Sequence, residues 1–109
     1  MQYDYIVIGS GSGGAAAAGR LSEDGKTSVL LLEAGGKDRH PFIHIPVLFP
    51  HLLTNPKTTW LRKSEPVPGL NGREMFFPSG KVLGGSSSIN GMLYIRGQAQ
   101  DYDDWRDAG

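Results

Sequence analysis

The sequence predicts an α/β fold that opens with a strand–helix–strand unit. Three observations point to it. Two short apolar runs, Tyr5 to Ile8 and Ser28 to Glu33, are each followed by a glycine-containing turn, and an alanine-rich segment lies between them. Residues 5 to 33 thus spell strand, turn, helix and strand in about thirty residues, the length of a βαβ unit.

Tyr5-Ile6-Val7-Ile8 is continuous, apolar and largely β-branched, the pattern of a strand buried on both faces of a parallel sheet. Gly9 to Gly14 forms a glycine turn. Ala15 to Leu21 is rich in helix formers, and Gly25 supplies the stop. Ser28 to Glu33 reads as the second strand, closed by Ala34-Gly35-Gly36. A right-handed crossover joins the two strands. From residue 37 to residue 78 the character changes. Pro41, Pro46, Pro50, Pro56, Pro66, Pro68 and Pro78 rule out a long helix or a central strand, so this segment is expected to be extended or looped. One or two helical turns are expected over Val47 to Leu53 despite Pro50. Gly80 to Gly97 is a second stretch rich in glycine and serine, and Gln98 to Arg106 reads as an acidic, aromatic surface helix.

Composition narrows the function classes. Eleven Lys and Arg balance eleven Asp and Glu, so no net field gathers nucleic acid or anionic lipid. There are no cysteines, which removes disulfides, thiolate chemistry and cysteine-based metal sites. The acidic run from Asp101 to Asp104 lacks the glycine and terminal glutamate of a calcium loop, and no metal site is expected. Ser86 to Ser88 do not form a nucleophile elbow. The amino terminus has no basic region before its short apolar run, and no transmembrane segment is expected. A cytoplasmic location follows as the default, with peripheral membrane association left open.

The first glycine turn carries chemistry. Gly9, Gly11 and Gly14 fit G-x-G-x-x-G between a strand and a helix, the Rossmann-like dinucleotide fingerprint. Gly9 makes the tight turn, Gly11 lets main chain approach a diphosphate, and Gly14 lets helix and strand pack closely. The helix then offers unpaired N–H groups and its positive dipole end to the phosphates. Ser12 lies at this position and Ala34 flanks the opposite strand end; both join the candidate contacts. Glu33 stands nineteen residues after Gly14, near the offset of about 20 at which a carboxylate accepts bonds from ribose hydroxyls and repels a 2′-phosphate. The motif is compatible with FAD or NAD.

The second stretch reads Gly80-Lys81-Val82-Leu83-Gly84-Gly85-Ser86-Ser87-Ser88-Ile89-Asn90-Gly91-Met92-Leu93-Tyr94-Ile95-Arg96-Gly97, with Asp103 beyond it. Its paired glycines and serines offer bare N–H groups and small hydroxyl donors that a ring or phosphate can approach. This stretch resembles the first signature of the glucose-methanol-choline (GMC) oxidoreductases. Together with the βαβ start, Leu32 to Gly36 and Pro68 to Arg73, the resemblance covers nearly the whole chain and is nearest the choline and alcohol dehydrogenase branch. It implies that Gly84, Gly85, Ser86, Asn90 and Gly91 contact FAD, with Asn90 close to the isoalloxazine. Some members bond flavin covalently through a histidine; Ile89 stands at that position here, so the resemblance implies noncovalent FAD. Ser79 replaces an arginine common in the family.

The resemblance further implies oxidation of a small alcohol by hydride transfer to flavin, with oxygen or a quinone-type carrier as electron acceptor. The family's catalytic base is a histidine far downstream, and none of His40, His44 or His51 matches it. No catalytic residue is therefore expected in this chain, and the remainder of a longer polypeptide is expected to complete the fold. Two other readings stay open: an NAD-dependent dehydrogenase, and a noncatalytic nucleotide-binding fragment.

Overall fold

The structure is a computed structural model that describes residues 2–109. β1 (Tyr5–Ile8) leads through Gly9 to Gly11 into α1 (Ser12–Leu21), and β2 (Val29–Leu32) returns parallel to β1. Tyr5 pairs with Val29 and Ile8 with Leu32. α1 begins three residues earlier than the alanine run suggests, inside the glycine turn. The reason is that Gly11 serves as the N-cap in an extended conformation and its carbonyl accepts the first helical bond, from Ala15 N–H at 2.8 Å. Gly25, at φ +67°, turns the chain after the helix; left-handed backbone of this kind favours glycine.

The segment expected to be extended or looped contains more order than its prolines suggest. α2 (Phe49–Leu53) follows a single 3₁₀ turn at Pro46–Leu48, with Pro50 in its first turn where no N–H bond is lost. β3 (Thr59–Lys63) and β4 (Phe76–Gly80) form an antiparallel ribbon that alternation did not announce. Pro78 lies within β4 opposite Leu61. The ribbon has only two strands, so Pro78 has an open side and removes no inner ladder bond. α3 (Ala99–Asp107) starts with a reciprocal capping box between Gln98 and Asp101 and pairs Arg106 with Asp103 and Asp107 on its surface.

The ribbon is hooked onto the βαβ unit where the site lies. Lys81 N–H donates to Thr58 O at 2.7 Å, Gly36 bridges Val82 in parallel, and Leu83 N–H donates to Gly36 O at 2.8 Å. Below this junction Leu52, Val82 and Ile89 form the buried core, with Ile43 and Leu53 packed against it. The hydroxyls of the buried Thr58 and Thr59 both donate to Leu52 O, at 3.2 and 2.6 Å, and so tie the end of α2 to the start of β3. The β1–β2 pair differs from the expectation of burial on both faces: Ile6 is 61% and Ile8 84% exposed. Two strands and one helix cannot cover a parallel sheet. The Cα radius of gyration, 17.6 Å, accordingly exceeds the about 13 Å of a compact domain of this length.

Glycine spacing in α1 gives a direct test of this packing. A Cβ on Gly14 would lie 1.9 Å from Gly9 O, whereas one on Gly19 would meet nothing within 4 Å. Gly14→Ala is expected to lower stability by more than about 2 kcal/mol, a backbone clash that forces helix and strand apart. Gly19→Ala is expected to raise it by about 0.5–1 kcal/mol through helix propensity alone. Denaturant unfolding of both variants checks the pair; equal effects would contradict the helix–strand contact.

Candidate cofactor cleft

The end of β1, the end of β2 and the second glycine bend converge on one cleft of about 510 Å³, within the ordinary size range of small-molecule sites. Ile8, Gly9 and Gly11 line one side, Leu32, Glu33 and Ala34 the next, and Trp60, Gly80, Gly85 and Ser86 the third. Main chain meets main chain across it. A Cβ on Gly85 would fall 2.9 Å from Gly11 Cα, one on Gly80 would fall 2.1 Å from Gly85 C, and one on Gly35 would fall 2.1 Å from Lys81 C. Gly84 and Gly85 turn the chain at φ +89° and +59° into a short 3₁₀ turn that carries Ser86 and Ser87. The glycines therefore bring two distant segments together and leave N–H groups at the surface between them.

Glu33 organises the cleft. Its Oε2 accepts from Ser10 N–H at 2.9 Å and from Ser10 Oγ–H at 2.7 Å, and its Oε1 accepts from Gly35 N–H at 2.8 Å. The Ser10 hydroxyl, the Ser10 N–H and the Gly35 N–H hold this carboxyl below its ordinary value of 4.5, against the opposing effect of burial. A carboxylate offers about four acceptor directions, so with three filled about one is left for a ribose hydroxyl. Ser10, only 2% exposed, was not singled out by the motif, where it occupies a variable position. Its hydroxyl in turn accepts from Gly84 N–H at 3.0 Å, a link across 74 residues that spacing alone does not reveal.

The other expected residues divide between two places. Ser12 opens α1, whose N-cap supplies no side-chain bond and whose first turn carries no acid, so its N–H groups are left for an anion. Among the described residues no Lys or Arg is part of the cleft lining. Gly14 lies behind it against Gly9. Asn90 is not part of this cleft. It lines a neighbouring one of about 240 Å³ with Asp38, Phe42, His44 and Met92, and its side chain accepts from Met92 N–H at 2.8 Å. Gly91 packs against the Phe49 ring. Ile89, at the position discussed above, is 2% exposed in the core. Trp60 was missed by sequence reasoning; it lies at the rim, 37% exposed, with Lys81 Nζ 4.3 Å from its ring centre.

None of the three histidines lines the larger cleft. His40 Nδ1 accepts from Phe42 N–H at 3.2 Å, His44 Nε2 lies 2.7 Å from Asp38 O, and His51 tilts against Phe42. Among the described residues no group of three or more His, Asp or Glu is arranged to hold a metal, and no helix is long and apolar enough to cross a membrane. A cleft walled by bare main chain, with an open helix N-terminus and one anchored carboxylate, suits the diphosphate and ribose of a dinucleotide.

Known proteins share this architecture. A family model described as GMC oxidoreductase matches residues 3–109. An oxygen-dependent choline dehydrogenase of Rhizobium etli (strain CIAT 652) is 53% identical over 109 residues, which are 100% of this chain and 20% of that protein. The crystal structure of pyridoxine 4-oxidase from Mesorbium loti superposes with a TM-score of 0.82 at 37% identity, covering 97% of this chain and 21% of that one. An FAD-dependent oxidoreductase from Chaetomium thermophilum gives a TM-score of 0.70 at 36% identity over 99% of this chain and 18% of that one. The chain thus spans about a fifth of the length of the curated relatives it matches. It belongs to the GMC oxidoreductase family.

Proposed function

We propose that this chain forms the FAD-binding part of a flavoenzyme that oxidises a small primary alcohol by hydride transfer to the flavin. The observation that carries the reading is the contact of the two glycine bends, Gly85 against Gly11, at the open N-terminus of α1 beside Glu33. The diphosphate is held by N–H groups of the α1 turn around Gly11 and Ser12, the ribose by Glu33, and the second bend by its glycines and Ser86 meets the flavin half. Asn90, whose Nδ2 donates one N–H to Ser87 O at 3.3 Å, keeps its other amide N–H for the ring from the neighbouring cleft. When bound, FAD supplies the hydride acceptor.

The residues of this chain bind and orient; they do not take the proton. Removal of the hydroxyl proton needs a base near the reacting carbon; His40 is bonded to Phe42 N–H, His51 packs on the Phe42 ring, and His44, in the neighbouring cleft, is bonded to Asp38 O. The base comes from another part of the polypeptide. Choline is the first substrate to test, given the name and 53% identity of the Rhizobium etli relative, and oxygen the first electron acceptor.

Three outcomes are expected. The complete polypeptide carrying this segment purifies yellow, releases all its flavin to the supernatant on acid precipitation because Ile89 offers no nucleophile, and is bleached by choline without oxygen. A colourless protein that binds NAD instead refutes the reading, and flavin retained in the pellet refutes noncovalent attachment. Glu33→Gln is expected to weaken FAD binding about tenfold, equivalent to about 1.4 kcal/mol, by loss of charge-assisted bonds. The pH response follows from the lowered pKa of Glu33: the stabilisation is fully present above 4.5 and fades as pH falls through the lower folded value. Folding stability of the parent should therefore decline in acid, and this component should be absent in Glu33→Gln; denaturant unfolding of both proteins across pH reads the difference.

A further inference from the structure

The two glycine bends are joined through a single side chain that belongs to neither set of motif glycines. Ser10 is buried at 2% exposure, and its Oγ is engaged on both sides: it donates to Glu33 Oε2 at 2.7 Å and accepts from Gly84 N–H at 3.0 Å. Donation to a carboxylate fixes the hydroxyl proton on one side and leaves the oxygen lone pairs directed away from it. Gly84 N–H meets those lone pairs at the residue where the second bend turns left-handed. No other side chain among the described residues bonds the Gly84 N–H.

We infer that Ser10 is a positioning residue: its hydroxyl, oriented by the Glu33 carboxylate, holds the second glycine bend in register with the first. The consequence for cofactor binding rests on the FAD reading above. Glu33 meets the ribose and the bend at Gly84–Ser86 meets the flavin half, so the Glu33–Ser10–Gly84 chain links the two ends of one ligand. Gly85 also touches Gly11 directly, but that contact is steric and tolerates sliding, whereas a hydrogen bond fixes direction. Loss of the Ser10 hydroxyl leaves Gly84 N–H without its acceptor in a part-buried place and removes the strongest donor from Glu33, and neither loss is repaired by the glycine packing.

The test separates this link from cofactor binding. In the complete polypeptide stripped of FAD, Ser10→Ala is expected to raise amide hydrogen exchange at Gly84 at least tenfold while exchange in β3 and β4 stays at the parent level. Unchanged exchange at Gly84 overturns the inference, whatever FAD does. With FAD added, Ser10→Ala and Glu33→Gln should each weaken binding about tenfold, and the double variant should lose clearly less than the product of the two single losses, since the Ser10 bond is shared while the Glu33 contact to ribose is separate. Multiplying losses, a hundredfold in the double variant, overturn the inference. The visible flavin bands of Ser10→Ala at saturating FAD should also shift relative to the parent, a change that a purely stabilising serine would not cause. Should Ser10→Ala fail to fold, Ser10→Gly and Glu33→Gln probe the same chain from either end, with raised Gly84 exchange expected in both and unchanged exchange in both overturning it. Failure of the parent itself to bind FAD removes the cofactor reading but leaves the exchange result to decide the role of Ser10.

Discussion

Main chain passes within contact distance of main chain at four points around the cleft, and everything else in the structure depends on that closeness. Gly14 lies on Gly9, Gly35 on Lys81, Gly80 on Gly85, and Gly85 on Gly11. At each of these points a single added carbon would overlap backbone atoms, which have no rotamer with which to move aside. The second motif can therefore reach the first only because both are stripped of side chains, and the parallel bridge from Gly36 to Val82 sets the register of that approach.

The electrostatics of the cleft follow from the same nakedness. Among the described residues no cation is part of its lining, and Lys81 stands over the rim Trp60, so an anion is met first by N–H groups and the positive end of α1. Such donors are fixed by the fold and lose little freedom on binding, unlike lysine side chains. The one formal charge in the wall is negative, and it is anchored. Glu33 spends most of its acceptor capacity on Ser10 and Gly35, which makes it a brace between strand ends.

Rigidity is unevenly distributed. The small core of Leu52, Val82 and Ile89 lies beneath the second bend, and the buried threonines Thr58 and Thr59 lock the adjoining ribbon to α2. The β1–β2 pair, by contrast, presents Ile6 and Ile8 to solvent in this chain. Its own strength lies in the four-residue ladder and the Glu33–Ser10 bonds. A site built at that rim has one firm wall and one wall whose apolar faces are open.

How much was legible in the sequence depended on the range of the interaction. The βαβ unit, the glycine fingerprint and Glu33 were readable because strand runs, helix formers and turn glycines act over a few residues, and the family signature at 80–103 is itself a short pattern. The sequence alone also determined that Ile89 offers no nucleophile and that the chain is neutral. The ribbon of β3 and β4 was not readable: its strands are short, one carries Pro78, and a two-stranded edge tolerates what a central strand does not. Ser10 was invisible for a different reason. Its importance comes from a bond to Gly84, 74 residues away, and from burial that local pattern does not encode. Tertiary structure alone decided that Asn90 lies in a neighbouring cleft while Gly85 meets Gly11, because the left-handed turns at Gly84 and Gly85 set the direction in which the rest of that motif leaves the site.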